Sequence, residues 1–194
     1  MMHLTDFTGL AGIALAIIVS ALRLPVLRRL RRGQKAGLAL AIFAVLALPL
    51  GGLSGIEFVR GVSGDLSITT LLLLVVLANG GMLSIGQKYR VLFLVAVGAV
   101  ALYPFALGLG MTDTYRLGFG NVWFLAGLLL VALLAWMRQC PVVAAGIALA
   151  VLAWSIGWYE SNNLWDYLLD PWVAIYATVA LLRQAVLLLR KKII

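Results

Sequence analysis

The chain has 194 residues, 64% of them hydrophobic and 11% charged, with a mean hydropathy of +1.09. A soluble domain carries about 45–50% apolar and about 25% charged residues, so this chain could not cover itself with polar surface in water. The net charge of +8 argues for lipid contact and against nucleic acid, because the basic residues flank apolar runs. Arg23, Arg28, Arg29, Arg31, Arg32 and Lys35 follow the first run, and Arg190, Lys191 and Lys192 follow the last. Clusters so placed set topology and meet anionic headgroups at the cytoplasmic face.

The segment Met1 to Thr8 contains His3 and Asp6 but no Lys or Arg. It lacks the basic region of a cleavable signal, and a retained first helix with an exported N-terminus is expected. Seven apolar stretches follow in chain order: Gly9–Leu27, Ala36–Leu53, Ile68–Gly86, Val91–Leu109, Val122–Met137, Val142–Trp158 and Trp172–Leu189. At about 1.5 Å per residue each approaches the roughly 30 Å of a hydrocarbon core. The first is interrupted by Arg23, which would snorkel to the interface. The predicted fold is all-α, a polytopic transmembrane helix bundle of about seven spans, with residues 1–194 as a single transmembrane domain.

Charge orients this bundle. With the N-terminus outside and the C-terminus cytoplasmic, the external side receives only Arg60 and Arg116 of the 15 basic residues. That leaves 13 basic residues at cytoplasmic ends, including Arg23 and Arg183 at their nearest ends. All seven acids, Asp6, Glu57, Asp65, Asp113, Glu160, Asp166 and Asp170, fall outside. Basic residues are retained on the cytoplasmic side, so the assignment holds at every loop. The predicted external segments Ser54–Ser67, Gly110–Asn121 and Tyr159–Pro171 are longer than the cytoplasmic turns after the first. Trp158, Tyr159, Trp165, Tyr167 and Trp172 form an aromatic belt there.

Candidate sites cluster on that face. Arg60 lies between Glu57 and Asp65, and Arg116 lies close to Asp113. A guanidinium suits a phosphate or carboxylate, so Arg60 and Arg116 could converge on one anion, with Glu57, Asp65 and Asp113 as supporting carboxylates. The same residues fit a structural role: Asp65 or Ser67 as a helix cap, Arg60 paired with Glu57, Arg116 with its own Asp, and Asn121 as an N-cap. In the third segment, Leu164 to Pro171 reads as a short interfacial helix. Asp166 and Asp170 would then stand at i,i+4, able to hold a divalent ion. Asp170-Pro171 is equally a helix start.

Asn79, before Gly80-Gly81, is the one amide expected near mid-membrane and should bond between helices. Tyr103-Pro104 predicts a kink in the fourth span. No acid lies mid-span for a proton or cation relay. Cys140 is the only cysteine, so no internal disulfide or CxxC chemistry is possible. There is no nucleotide, zinc-protease or serine-hydrolase motif, and no cofactor is expected.

These features leave two functional readings. One is a non-catalytic accessory or scaffold subunit of a cell-envelope biogenesis or export assembly, with membrane-protein partners or further copies of itself. The other is a small transporter or transferase handling a lipid-linked or anionic substrate at the outer leaflet through Arg60 and Arg116. Arg outnumbers Lys 11 to 4 in an Ala/Leu-rich chain, which points toward a bacterial inner membrane.

Overall fold

The computed structural model describes residues 4–27, 29–79 and 83–193. His3, Arg28, Gly80-Gly81 and Ile194 lie outside the described residues. The protein is 75% helical. Its elements are α1 (Leu4–Leu22), α2 (Arg32–Ala47), a hairpin of β1 (Pro49–Leu50) and β2 (Leu53–Ser54), α3 (Gly55–Ser63), α4 (Ile68–Ala78), α5 (Ile85–Ala106), a 3-10 turn at Tyr115–Gly118, α6 (Val122–Met137), α7 (Pro141–Ser155), α8 (Leu164–Leu168) and α9 (Pro171–Ile193). Among the described residues three helical stretches, Thr5–Leu22, Ile85–Ala106 and Pro171–Arg190, are long and apolar enough to cross a membrane.

The third apolar stretch differs most from expectation. It does not continue as one helix to Gly86: α4 stops at Ala78, and α5 begins at Ile85, six residues ahead of the expected Val91. Eleven residues of α-helix rise only about 16 Å, so α4 alone falls well short of a bilayer. Ser84 caps α5 by accepting the Gln87 N–H at 3.2 Å. Gln87 returns the bond to the Ser84 N–H at 3.2 Å, a capping box that draws Lys88 and Arg90 into the helix. The second stretch also ends early, where Pro49 and the Gly51-Gly52 turn fold the chain into the hairpin. Residues 55–63, expected as loop, form α3, because Ser54 and Glu57 make a second capping box.

Packing is concentrated between α4 and α9. Tyr167, Leu164, Cys140, Ala150 and Ala177 are buried in one continuous cluster drawn from these elements. Ala150 and Ala177 are 0% exposed, and small side chains at such positions let helix backbones approach closely. A second cluster, Ile13, Ala14, Ile56 and Leu66, joins α1 and α3 to the start of α4, with Leu71 packing against both clusters. The outward faces of α6 and α9 expose Leu129, Leu130, Leu133, Val179, Leu182 and Leu189. Contiguous apolar surface of that kind is unfavourable in water and suits a hydrocarbon solvent.

Hydrogen bonds gather the connecting segments into two sets. At one end the Thr8 hydroxyl donates to the Trp158 carbonyl (2.6 Å), Tyr159 to that of Leu66 (2.7 Å) and Thr114 to that of Ala101 (2.7 Å). At the other, Gln87 donates to the Gln139 carbonyl (3.3 Å), Arg90 to that of Arg138, and Tyr89 to Gln184 (2.8 Å).

Candidate functional site

The first of these ends carries nearly all the polar chemistry, built around three nodes that together use four carboxylates. Arg60 is placed by the last turn of α3, where its Nε and Nη2 donate to the two oxygens of Asp65 at 2.7 and 3.1 Å. Its Nη1 donates to Asp6, on the first turn of α1, at 3.0 Å. The guanidinium is therefore shared by two carboxylates from different elements, and both it and its partners are largely shielded. The hydrogen bonds to Asp65, and secondarily to Asp6, raise its pKa further above its ordinary value against the opposing effect of burial. A Cβ on Gly9 would stand 2.2 Å from Asp65 Oδ1 and 2.5 Å from Arg60 Nε. Only glycine allows α1 to lie against this pair.

Asp170 is the second node and is 3% exposed. Its Oδ1 accepts the Val173 N–H (2.9 Å), starting α9. Its Oδ2 accepts the Ser67 N–H (3.0 Å), the Ser67 hydroxyl (2.7 Å) and the Thr70 hydroxyl. Ser67 in turn caps α4 by accepting the Thr70 N–H at 3.2 Å. Two helix N-termini thus meet on one carboxylate, whose negative charge both helix dipoles favour. Residues about a hundred positions apart are joined there.

Asp166 forms the third node. Its Oδ2 accepts the Tyr115 hydroxyl at 2.9 Å and the Ser161 hydroxyl. Burial first, and then this hydrogen bond, push the Tyr115 phenol up to about 12. Around the node, Asn163 donates to the Tyr115 carbonyl (2.9 Å) and accepts the Trp165 N–H (3.0 Å), while the Trp165 indole donates to the Thr114 carbonyl (3.0 Å). Tyr167 is fully buried, its hydroxyl 2.9 Å from the Ser161 carbonyl, and its ring stacks at a tilt on Tyr159 with centroids 5.1 Å apart. Burial raises the pKa of both phenols.

Several expectations change against this geometry. Arg60 pairs with Asp65 and Asp6 and not with Glu57, whose carboxylate accepts the Ser54 N–H at 2.6 Å. That bond holds the Glu57 carboxyl below its usual pKa. Arg116 does not join Arg60: the cavity beside Arg60, about 450 Å³, is lined by Asp6, Glu57, Asp65 and Glu160 and not by Arg116. Four carboxylates around one already paired guanidinium disfavour an anion in that cavity. Asp113 instead accepts the Arg116 backbone N–H at 3.2 Å, starting the 3-10 turn. Among the described residues the exposed Arg116 guanidinium has no hydrogen-bond or ion-pair partner.

Asp166 and Asp170 do not stand at i,i+4 on one helix. Helix α8 ends at Leu168, Leu169 is extended, and the two carboxylates serve different partners. Helix α8 packs into the protein, with Leu164, Trp165, Tyr167 and Leu168 all buried. Asn79 is exposed at the C-terminus of α4, its amide donating to the Val75 carbonyl of its own helix at 3.0 Å, and among the described residues it joins no second helix. The alternative readings that Ser67 caps α4, Asn121 caps α6 and Asp170 opens α9 match the hydrogen bonds formed. The roles of Asp6, Gly9, Tyr115, Asn163 and Thr70 went unread in the sequence. Of these only Asn163, in a Ser/Asn run before an apolar segment, carried a local signal.

Comparison with protein-family models gives no match, and neither the curated proteins nor the solved structures contain a significant relative.

Proposed function

We propose that this chain is a bacterial inner-membrane protein of about seven crossings, N-terminus outside and C-terminus cytoplasmic. It serves as a non-catalytic accessory or scaffold subunit of an envelope-building or export assembly. The orientation is supported by charge: the loop set that gathers Arg90 and Arg138 opposes the set that gathers Asp6, Asp65, Asp166 and Asp170. In this reading α4 belongs to the third crossing.

The observation that carries the scaffold role is the mutual engagement of the external ionisable groups. Arg60, Asp65, Asp6, Asp166 and Asp170 are tied to loops and helix ends, which preorganises a cap and leaves its outer side chains for contact. Phe119 and Trp123 are 60% and 84% exposed beside the unpaired Arg116, and aromatic residues and arginine are the side chains most enriched at interaction hot spots.

Affinity purification of the full chain from its native membranes in mild detergent tests this. A membrane protein or a second copy should co-elute with the native chain and be lost with Arg116→Glu or Trp123→Ala. A native chain that elutes as a lone protomer, or partners retained equally by both variants, would overturn the scaffold reading.

A further inference from the structure

A cleft of about 680 Å³ separates α1 from α5 and α9, with α4 as its floor. Its volume lies within the range of small-molecule sites. Its walls are apolar, with Ile13 and Ile17 on α1, Leu74 on α4, Leu92 on α5 and Tyr176 on α9. Among the described residues the two core clusters share only Leu71 on α4, so α1 is held off the α5–α9 pair and the space stays unfilled by the described side chains.

One end of the cleft is cationic. Arg23, just beyond α1, reaches the Leu77 carbonyl at the C-terminus of α4, and Lys88, in the first turn of α5, lines the same end. The neighbours of Lys88 are turned toward the bundle: Gln87 bonds Gln139, Tyr89 bonds Gln184 and Arg90 bonds Arg138. Lys88 alone of these four faces the cleft, and among the described residues its ammonium has no partner. An apolar slot capped by two basic side chains is complementary to an amphiphile with a negative head and a hydrocarbon tail.

We infer that this cleft is a binding site for one anionic phospholipid, its acyl chains between α1, α4 and α9 and its phosphate at Arg23 and Lys88. Placing that headgroup in the cytoplasmic leaflet rests on the orientation proposed above; the binding itself does not. The lipid completes the contact between the two halves of the bundle that side chains leave open.

The full chain, delipidated in detergent, is offered phosphatidylglycerol or phosphatidylcholine of identical chains and read by native mass spectrometry. One phosphatidylglycerol per chain should be retained, and phosphatidylcholine should not. Lys88→Gln should weaken retention about fivefold, the effect of one basic contact near a surface. Leu77→Trp, which fills the cleft from a partly exposed position, should abolish it. Lys35→Gln, a basic residue away from the cleft, should change nothing, and thermal unfolding of each variant reports whether it folds. Equal retention of the two lipids overturns the site. So does unchanged retention in both Lys88→Gln and Leu77→Trp, or displacement of the lipid by excess inorganic phosphate alone. A protein partner lost with Leu77→Trp while phosphatidylglycerol stays bound would assign the cleft to that partner instead. Retention in detergent is independent of sidedness, so its failure and a failure of the proposed orientation are separate results.

Discussion

At Gly9 a single hydrogen in place of a methyl lets Arg60 reach Asp65 and Asp6 together. Gly9→Ala must push the guanidinium or the Asp65 carboxylate away, and overpacking of that kind costs about 1–3 kcal/mol. Thermal unfolding in detergent should show the loss, and Arg60→Ala should not add to it in full, since the two changes disrupt one contact. Asp170→Asn is expected to be costlier, because the amide would turn a donor toward Ser67 and Thr70 donors that the carboxylate now accepts. Hydrogen bonds to a charged group are worth about 1.5–3 kcal/mol. The phenols set a limit at high pH. Tyr115, Tyr159 and Tyr167 have pKa values raised by burial, so the folded state holds their protons more tightly than the unfolded chain. Their contribution is fully present below the unfolded value of about 10 and is lost as pH rises through the folded values. Stability should therefore fall in base, and Tyr115→Phe should flatten that fall between about pH 10 and 12.

Caps and breaks account for the elements. Ser54, Ser67, Ser84 and Asn121 each accept an N–H of the helix they start, and the loss of such a cap costs about 1 kcal/mol. Ser54→Ala should reach that figure, because it removes the hydroxyl that accepts the Glu57 N–H, while the backbone N–H at position 54 still donates to the Glu57 carboxylate. Asn79→Leu should behave differently from a change at an interhelical amide. The side chain is exposed and bonds only its own helix, so the unfolding midpoint should move by no more than a surface substitution allows, within about 0.5 kcal/mol. A shift beyond about 1 kcal/mol would place Asn79 between helices after all. Helix α8 is the reverse case. Its five residues are too few to be stable alone, and they hold their place because Tyr167 and Leu164 fill the centre of the main core.

For the whole molecule the decisive question is sidedness. In a background of Cys140→Ala, a cysteine at Ser161 should react with an impermeant thiol reagent added to intact cells, and one at Lys35 only after the membrane is opened. Labelling at Lys35 from outside would reverse the orientation and with it the leaflet assigned to the anionic lipid. A reporter that is active only outside the cytoplasm should likewise work after Ser63 and fail after Lys88.

Composition and charge set the expectation of a membrane protein before any fold was known. With 64% apolar residues and 11% charged ones a hydrocarbon solvent is the expected one, helices are the local way to satisfy a backbone there, and three helices long and apolar enough to cross a membrane are found among the described residues. Starts of helices were legible too, since Ser67, Asn121 and Asp170-Pro171 act over three or four residues. What lay beyond that range was not. Hydropathy ran unbroken through Ala78, so the end of α4 was invisible until α5 was seen to start at Ile85 with its own capping box. The partner of Arg60 was misread as Glu57 because a sequence ranks candidates by nearness along the chain. Asp6, 54 residues away, meets Arg60 only because α1 packs on α3 at a glycine. The same holds for Asp170 on Ser67, Asp166 on Tyr115, and the cleft between α1 and α9. Each depends on which helices touch, and in lipid that is settled by packing of small side chains and by interhelical hydrogen bonds, neither of which a hydropathy pattern records.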